Sequence, residues 1–348
     1  MALFILCIEK NQLNIYNLSM AKIRKLKWFD KPKLKELISF LKINNESHFV
    51  EMLTNGIPGY LHYYLPLKYK FLDESYILTE KKRVLGLISV NTFSGNYKKI
   101  NISKLLFIEN AYEVAQQLIE FVIAQYGAIG ANNFYVLVDE KLSELAQMFV
   151  NNCGFRQCSY EQIWEVPKTS FKKCKNYNYR RFKKSDIKEV ANIYNDSVIT
   201  YFKPTLLREE NEFSETICSG LKYMSEYRYV IETPDTSKII AYFKISTADN
   251  ENYLVDFNYC NGYDIDCETI LYFATREILK RKRRFKLHIK MKNYLNTNKQ
   301  QEEYFNQSDF HCLNTKLLLV KDFFKPVKEY SEEERFAVLG GLHNSPTF

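Results

Sequence analysis

Ile23-Arg24-Lys25-Leu26-Lys27-Trp28-Phe29-Asp30 is matched 156 positions later by Tyr179-Arg180-Arg181-Phe182-Lys183-Lys184-Ser185-Asp186. Each stretch reads as a short strand that runs into an aspartate able to cap the helix that follows. Helical patterns do follow, over 34–41 and 187–194. A second pair of segments lies far downstream. Phe149-Val150-Asn151-Asn152-Cys153-Gly154-Phe155-Arg156-Gln157-Cys158 faces Tyr304-Phe305-Asn306-Gln307-Ser308-Asp309-Phe310-His311-Cys312. Their closing anchors, Phe155 and Phe310, are 155 positions apart. Either match alone is within the reach of chance. Two matches that share nearly one offset point to a duplicated domain.

The interior repeats in the same order. In the first copy, strands are predicted at 76–78 and 84–93, joined by a turn at Lys81-Lys82, and at 100–108. Apolar residues at 114, 115, 118, 119, 122 and 123 have helical spacing, so a helix is predicted over 109–126. A buried strand at 134–138, a helix at 142–150 and a strand at 157–166 complete the copy. The second copy reads as strands at 227–232, 238–247 and 252–259, a helix at 266–282 and a strand at 285–291. It closes with a helix at 298–307 and a strand at 311–320. The expected fold class is α/β, a mixed sheet with helices on both faces in each of two tandem domains. The expected boundaries are 20–166 and 177–326, each half folding around its own sheet, with a polar linker at 167–176. Residues 1–19 form an extension with a candidate strand. Residues 327–348 form a tail with a short helix near 332–339.

Composition narrows the function classes. With 348 residues and 46% hydrophobic side chains, two ordinary cores are within reach. The 25 Phe and 26 Tyr are read mainly as core, since aromatic rings carry large buried areas. Only 11 Gly and 8 Pro speak against disorder. The eight cysteines are scattered without CxxC spacing, so no metal site is expected and a reducing compartment fits. The apolar run at 2–8 is too short to span a bilayer, so a soluble, cytoplasmic protein is expected. A net charge of +8 suits an anionic partner, and the densest cationic stretch is 280–292. There Phe285, Leu287, Ile289 and Met291 alternate with Lys286, His288, Lys290 and Lys292, a strand with one cationic face.

The element order, and the segment Ala146-Gln147-Met148-Phe149-Val150-Asn151-Asn152-Cys153-Gly154-Phe155 above all, resembles the GCN5-related N-acetyltransferase family. The likeness covers about 20–166 and 177–325. The second copy keeps Tyr304-Phe305 and Phe310, with Asp309 in the glycine place. The resemblance implies an acyl-CoA, usually acetyl-CoA, in a cleft between the fourth and fifth strands, with its pyrophosphate on the next helix N-terminus. Transferred to this chain, it picks out Phe107 and Ile108 at the strand end, Asn110 and Ala115 in the loop and helix start, and Ser143 and Asn298 on the following helices.

The family's Gly-rich phosphate loop is absent from both copies. Glu113 stands where a glycine is expected in the first, and Asp264 and Asp266 flank the same place in the second. Acidic residues there are also ordinary helix-start stabilisers. Family catalysis uses a base, commonly Glu, and a tyrosine acid. The tyrosine position falls on Val150 or Phe305. The nearest candidate acid is Tyr304, one place off, and the candidate bases are Glu80 and Asp256. The implied function is acyl transfer from acetyl-CoA or another acyl-CoA to a small-molecule or peptide amine. The alternatives are a non-catalytic module on the same fold and an aminoacyl-tRNA-dependent transferase, for which RNA would be the partner.

Overall fold

The computed structural model describes residues 21–30, 32–34, 37, 73–81, 83–93, 96–108, 112–167, 171, 177–214, 225–247, 249–260, 263, 265–293 and 299–323. The extension at 1–19, the tail at 327–348, most of the linker, most of the helix expected at 34–41, and candidates Asn110 and Asn298 lie outside the described residues.

Among the described residues, the strands predicted from 76 onward and the helices of both copies after them are present. The first half comprises β1 (Lys22–Lys25), β2 (Glu74–Glu80), β3 (Arg83–Phe93), β4 (Asn96–Phe107), α1 (Tyr112–Gly127), β5 (Asn133–Asp139), α2 (Ser143–Asn151) and β6 (Arg156–Val166). The second comprises β7 (Asn178–Arg181), α3 (Ile187–Ser197), the single turn α4 (Lys203–Leu206), β8 (Ser225–Glu232), β9 (Ile239–Thr247) and β10 (Asn252–Tyr259). It continues with α5 (Cys267–Leu279), β11 (Lys286–Asn293), α6 (Lys299–Gln307) and β12 (His311–Asp322). The helix expected to reach 282 stops at Leu279. The run Lys280-Arg281-Lys282-Arg283-Arg284 would stack like charges at helical spacing. The chain turns instead, with Arg281 N–H donating to the Ile278 carbonyl at 2.8 Å.

The repeat is visible in atomic detail. Arg24 forks onto Asp30 with two bonds of 2.7 Å, and Asp30 also accepts the Lys27 N–H at 2.9 Å. Arg180 forks onto Asp186 at 2.7 and 3.1 Å, and Asp186 accepts the Lys183 N–H at 2.7 Å. At the other end, Gly154 and Asp309 both have positive φ, 69° and 55°. Each follows a helix whose buried phenylalanine accepts a bond from the next anchor. Phe155 N–H reaches the Phe149 carbonyl at 3.0 Å, and Phe310 N–H reaches that of Phe305 at 3.1 Å. A left-handed residue ends both helices, and aspartate tolerates that conformation better than most side chains do.

One expectation needs correction. The halves do not close separate sheets. All twelve strands among the described residues form one sheet in the order β1-β2-β3-β4-β5-β12-β6-β11-β10-β9-β8-β7. The final strand of each half is laid against the other half. β12 pairs with β5, from Lys316↔Asp139 to Asp322↔Asn133, and β6 pairs with β11, from Leu287↔Val166 to Asn293↔Tyr160. β6 and β12 also pair with each other along the seam. Duplicated strands have equivalent patterns, so each can fill the other's slot without exposing an apolar face.

The cores follow the exchange. Leu319 of β12 lies in the first half's cluster with Phe134, Phe149 and Phe155. Trp164 and Val166 of β6 lie in the second half's cluster with α5, Phe305 and Phe310. A third cluster packs α3, Phe202 and Leu206 over Tyr135, Cys158, Leu318 and Val320, and so belongs to both halves. Arg156 and Asp322 pair across the seam at 2.5 Å.

Candidate functional site

Two forks open in the sheet. β4 and β5 run parallel and pair only from Lys99↔Asn133 to Ile102↔Val136. β4 then continues to Phe107 on β3, while β5 continues to Asp139 on β12. β10 and β11 likewise pair only from Asn252↔Lys286 to Asp256↔Lys290. Beyond that point β10 stays with β9 as far as Tyr259↔Ala241, and β11 stays with β6 as far as Asn293↔Tyr160. At each fork the strand leads on to a helix, α1 in the first half and α5 in the second. In a gap between parallel strands, backbone groups on the facing edges lose their ladder partners.

Twin forks on a duplicated mixed sheet define the architecture. The fold is that of a tandem GCN5-related N-acetyltransferase. A tandem GNAT protein from the clavulanic acid biosynthesis pathway, solved without acetyl-CoA, superimposes with a TM-score of 0.54 at 9% identity, covering 87% of this chain and 98% of that one. A GCN5-related N-acetyltransferase from Sphaerobacter thermophilus gives a TM-score of 0.57 at 8% identity, covering 87% of this chain and 96% of that one. At such identities the likeness is one of fold. No protein-family model and no curated protein matches the sequence.

The tandem fold distributes the sequence-predicted residues over two places. Phe107 and Ile108 end β4, with Ile108 N–H held by the Leu85 carbonyl at 3.0 Å. Ala115 is fully buried under α1 and faces the core. Ser143 opens α2. Phe107 and Ile108 lie at the first fork, and Ala115 and Ser143 on the helices that follow its two strands. Asp256 belongs to the last pair of the second fork, and Tyr304 lies on α6. Between the forks stand β12 and β6, so β5 and β11 are three strand spacings apart, roughly 14 Å. The candidate acid and one candidate base are therefore not brought together with the candidate cofactor residues. Glu80 ends β2, two strands from β4 or roughly 10 Å.

The first fork is mostly apolar. Leu105, Leu106 and Phe107 are buried on one side and Val136 and Val138 on the other. Over its helix end, Tyr112 packs against Phe107 with ring centroids 5.5 Å apart. The Tyr112 hydroxyl donates to Glu144 of α2 at 2.7 Å, which ties the starts of the two helices together. Glu113 sits in the first turn of α1.

Carboxylate chemistry dominates the second fork. Asp266 caps α5 by accepting the Thr269 N–H at 2.8 Å. Cys267 follows, and burial pushes its thiol up to about 12, so it is no nucleophile at neutral pH. Tyr304 packs on Phe305 and Phe310, each at 5.9 Å. Burial, then the Glu268 carboxylate, holds its phenol above the usual range, so it is a weaker acid than a free tyrosine. The buried Asn293 side chain at the end of β11 donates to Glu302 at 3.5 Å, and its own oxygen has no partner among the described residues.

The sequence reading missed a charged row on one face of the sheet. Direct register pairs place Arg228, Lys244, Asp256 and Lys290 in line, and Lys292, Glu161, Lys316 and Asp139 continue it. Lys290 meets Glu161 at 2.5 Å, and Lys292 meets Asp256 at 3.3 Å. Burial opposes ionisation of Asp256, but Lys292, Lys290 and Lys244 overcome it, so the carboxyl stays well below the usual range. Such a group has little affinity for a proton and makes a poor general base. The alternation over 286–292 correctly put these lysines on one face. Glu161 becomes their partner only through the strand exchange, which no local pattern encodes. Among the described residues, no helix is long and apolar enough to cross a membrane, and no cluster of His, Cys, Asp and Glu is placed to hold a metal.

Proposed function

We propose that the protein is an N-acyltransferase built from two repeat units, 20–166 and 177–326, that draws its acyl group from acyl-CoA at the first fork. The carrying observation is the early parting of β4 and β5, which leaves Ser103–Phe107 unpaired on the β5 side above the start of α1. An apolar gap lined by Phe107 and Val138 suits the thin arm of acyl-CoA, and free edge N–H groups can hold its amides. Acyl-CoA would supply an activated thioester. The chain would hold it, exclude water with Phe107 and Tyr112, and offer strand N–H groups to a developing oxyanion. The amine acceptor would lose its proton to solvent or to a group on the acceptor side. At the second fork, the Asp266 carboxylate occupies the helix start where a diphosphate would sit, so this half does not fit the cofactor.

Calorimetry with acetyl-CoA tests the assignment. Glu113→Gln removes one negative charge from the first helix start. A carboxylate roughly 6 Å from a doubly charged diphosphate costs about 1.4 kcal/mol at water's dielectric, about tenfold in Kd. Screening trims this to several-fold. Glu113→Gln should therefore tighten binding several-fold and Asp266→Asn should leave it unchanged. The reverse pattern moves the site to the second half.

The acidic residues at both helix starts support a second reading, a module that kept the fold and gave up the cofactor. No heat signal and no thermal stabilisation with millimolar acetyl-CoA or longer acyl-CoAs would decide for it.

A further inference from the structure

The far end of α5 carries a feature that acyl transfer leaves unexplained. Thirteen helical residues place it roughly 20 Å from the second fork. Two cavities flank this helix end. One, of about 830 Å³, is walled by Tyr177 just before β7, Tyr179 on β7, and Tyr272, Phe273 and Arg276 of α5. The other, of about 1,090 Å³, is walled by Thr275 and Leu279 of α5, Arg283 and Arg284 of the following turn, and Phe285 and Lys286. Tyr272 and Arg276 form one stripe of the helix, and Thr275 and Leu279 form the neighbouring one.

The cations here fall into two groups. Arg180 is engaged by Asp186 and Glu232, and Lys280 and Arg281 are engaged by Glu277. Glu277 also accepts the Tyr179 and Tyr229 hydroxyls, each at 2.8 Å, which fixes those rings. By contrast, Arg181, Arg276, Lys282, Arg283, Arg284 and Lys286 have no carboxylate partner among the described residues. A helix C-terminus is served by one or two cations. These six, without a carboxylate partner among the described residues, outnumber the Glu165 and Glu251 carboxylates that also line the second cavity, and an anion relieves their mutual repulsion. Tyr179 is packed against Phe273 at 4.5 Å, with the Arg276 guanidinium 6.0 Å above it, while Tyr272 is half-buried on the wall of the first cavity.

We propose that this belt binds single-stranded nucleic acid, phosphodiesters against these cations and a base against Tyr272. Stacking faces combined with a cationic track are what a flexible polynucleotide requires. The cations line both cavities, which suits a flexible strand laid across the two, and cavities of this size admit single bases and not a duplex. The sequence shows only the cations of 280–286. Folding brings Tyr177 and Tyr179 to them from some hundred residues away.

Fluorescence anisotropy with labelled oligouridylate and oligothymidylate 12-mers tests this on the full chain. Single strands lose about 0.7 of a log unit in affinity per log unit of salt for each neutralised phosphate. Five contacts predict about a 100-fold loss between 50 and 200 mM salt. Arg283→Glu with Arg284→Glu should weaken binding at least tenfold and flatten the salt slope by about 1.4. Tyr272→Ala should weaken both oligonucleotides and leave binding of inorganic polyphosphate unchanged. Preference for one sugar identifies RNA or DNA as the source. No binding at 50 mM salt, wild-type binding by the doubly reversed variant, or polyphosphate competing as well as the oligonucleotides would each overturn the proposal. Unchanged circular dichroism and an unchanged response to acetyl-CoA confirm that the variants remain folded.

Discussion

Gly86 on β3 tests how tightly α1 is seated over the first fork. A Cβ at this position would lie 2.8 Å from Val114 Cγ1, 2.9 Å from Leu118 Cδ1 and 3.0 Å from the Leu106 carbonyl oxygen. Carbon atoms in ordinary contact are about 3.5–4.0 Å apart, so two contacts are short by roughly 1 Å. Leu118 can swing a methyl aside, but Val114 is β-branched and held to one helical rotamer. Gly86→Ala therefore lifts the N-terminal part of α1. Overpacking of this kind costs about 1–3 kcal/mol, and the gain from replacing glycine in a strand offsets about 0.5–1 of it. The expected net loss is about 1–2 kcal/mol, read as a lower urea midpoint at unchanged slope. Val114→Ala removes the clashing methyl. In the Gly86→Ala background it should cost less than in the wild type, with a coupling of at least 0.5 kcal/mol by the usual measure for touching residues. A lifted α1 should also weaken the response to acetyl-CoA. An unchanged urea midpoint, or strict additivity of the two substitutions, would refute the account of this contact.

Further expectations concern the paired repeat features. Asp309→Gly should stabilise the protein by about 0.5–1 kcal/mol in thermal unfolding, because glycine adopts positive φ without strain, and Gly154→Ala should destabilise it by about 1–2 kcal/mol. Asp30→Asn and Asp186→Asn should each cost about 1–2 kcal/mol near pH 7, similar sums for similar geometry. At both sites burial raises the carboxyl's proton affinity, but bonds from Arg24 or Arg180 and from a backbone N–H outweigh it, so both lie below the ordinary value near 4. The sign follows: their contribution is complete above that ordinary value and fades as pH falls below it. The stability gap between wild type and either variant should stay flat from pH 7 to 5 and narrow below about pH 4, measured by urea titration at each pH.

The duplication was legible because its marks are local and chemical. An Arg six residues before an Asp, and an aromatic anchor after a helix, leave the same trace at 24–30 and 180–186 and at 149–155 and 305–310. Helix and strand spans came through for the same reason, since apolar period and turn residues are written along the chain. The exchange of β6 and β12 was not legible. Both strands present the alternation that either slot demands, and the choice depends on contacts such as Arg156 with Asp322 that join residues 166 positions apart. Of the candidate site, the sequence places residues along the chain but not in space. Phe107 and Ile108 do lie at a fork, but Tyr304 and Asp256 belong to the other one, a separation fixed by the two strands inserted between. Glu161 and the rings of Tyr177 and Tyr179 acquire their surroundings only on folding.

The traded strands also bear on ancestry. Two separate chains that had each lent a closing strand to the other would already possess this sheet, and a linker between them would convert the pair into one polypeptide without rearranging a single ladder. Each partner would then depend on the other to cap its hydrophobic interior. Under that dependence one fork can drift away from its original ligand and still be retained, because its strands complete its neighbour.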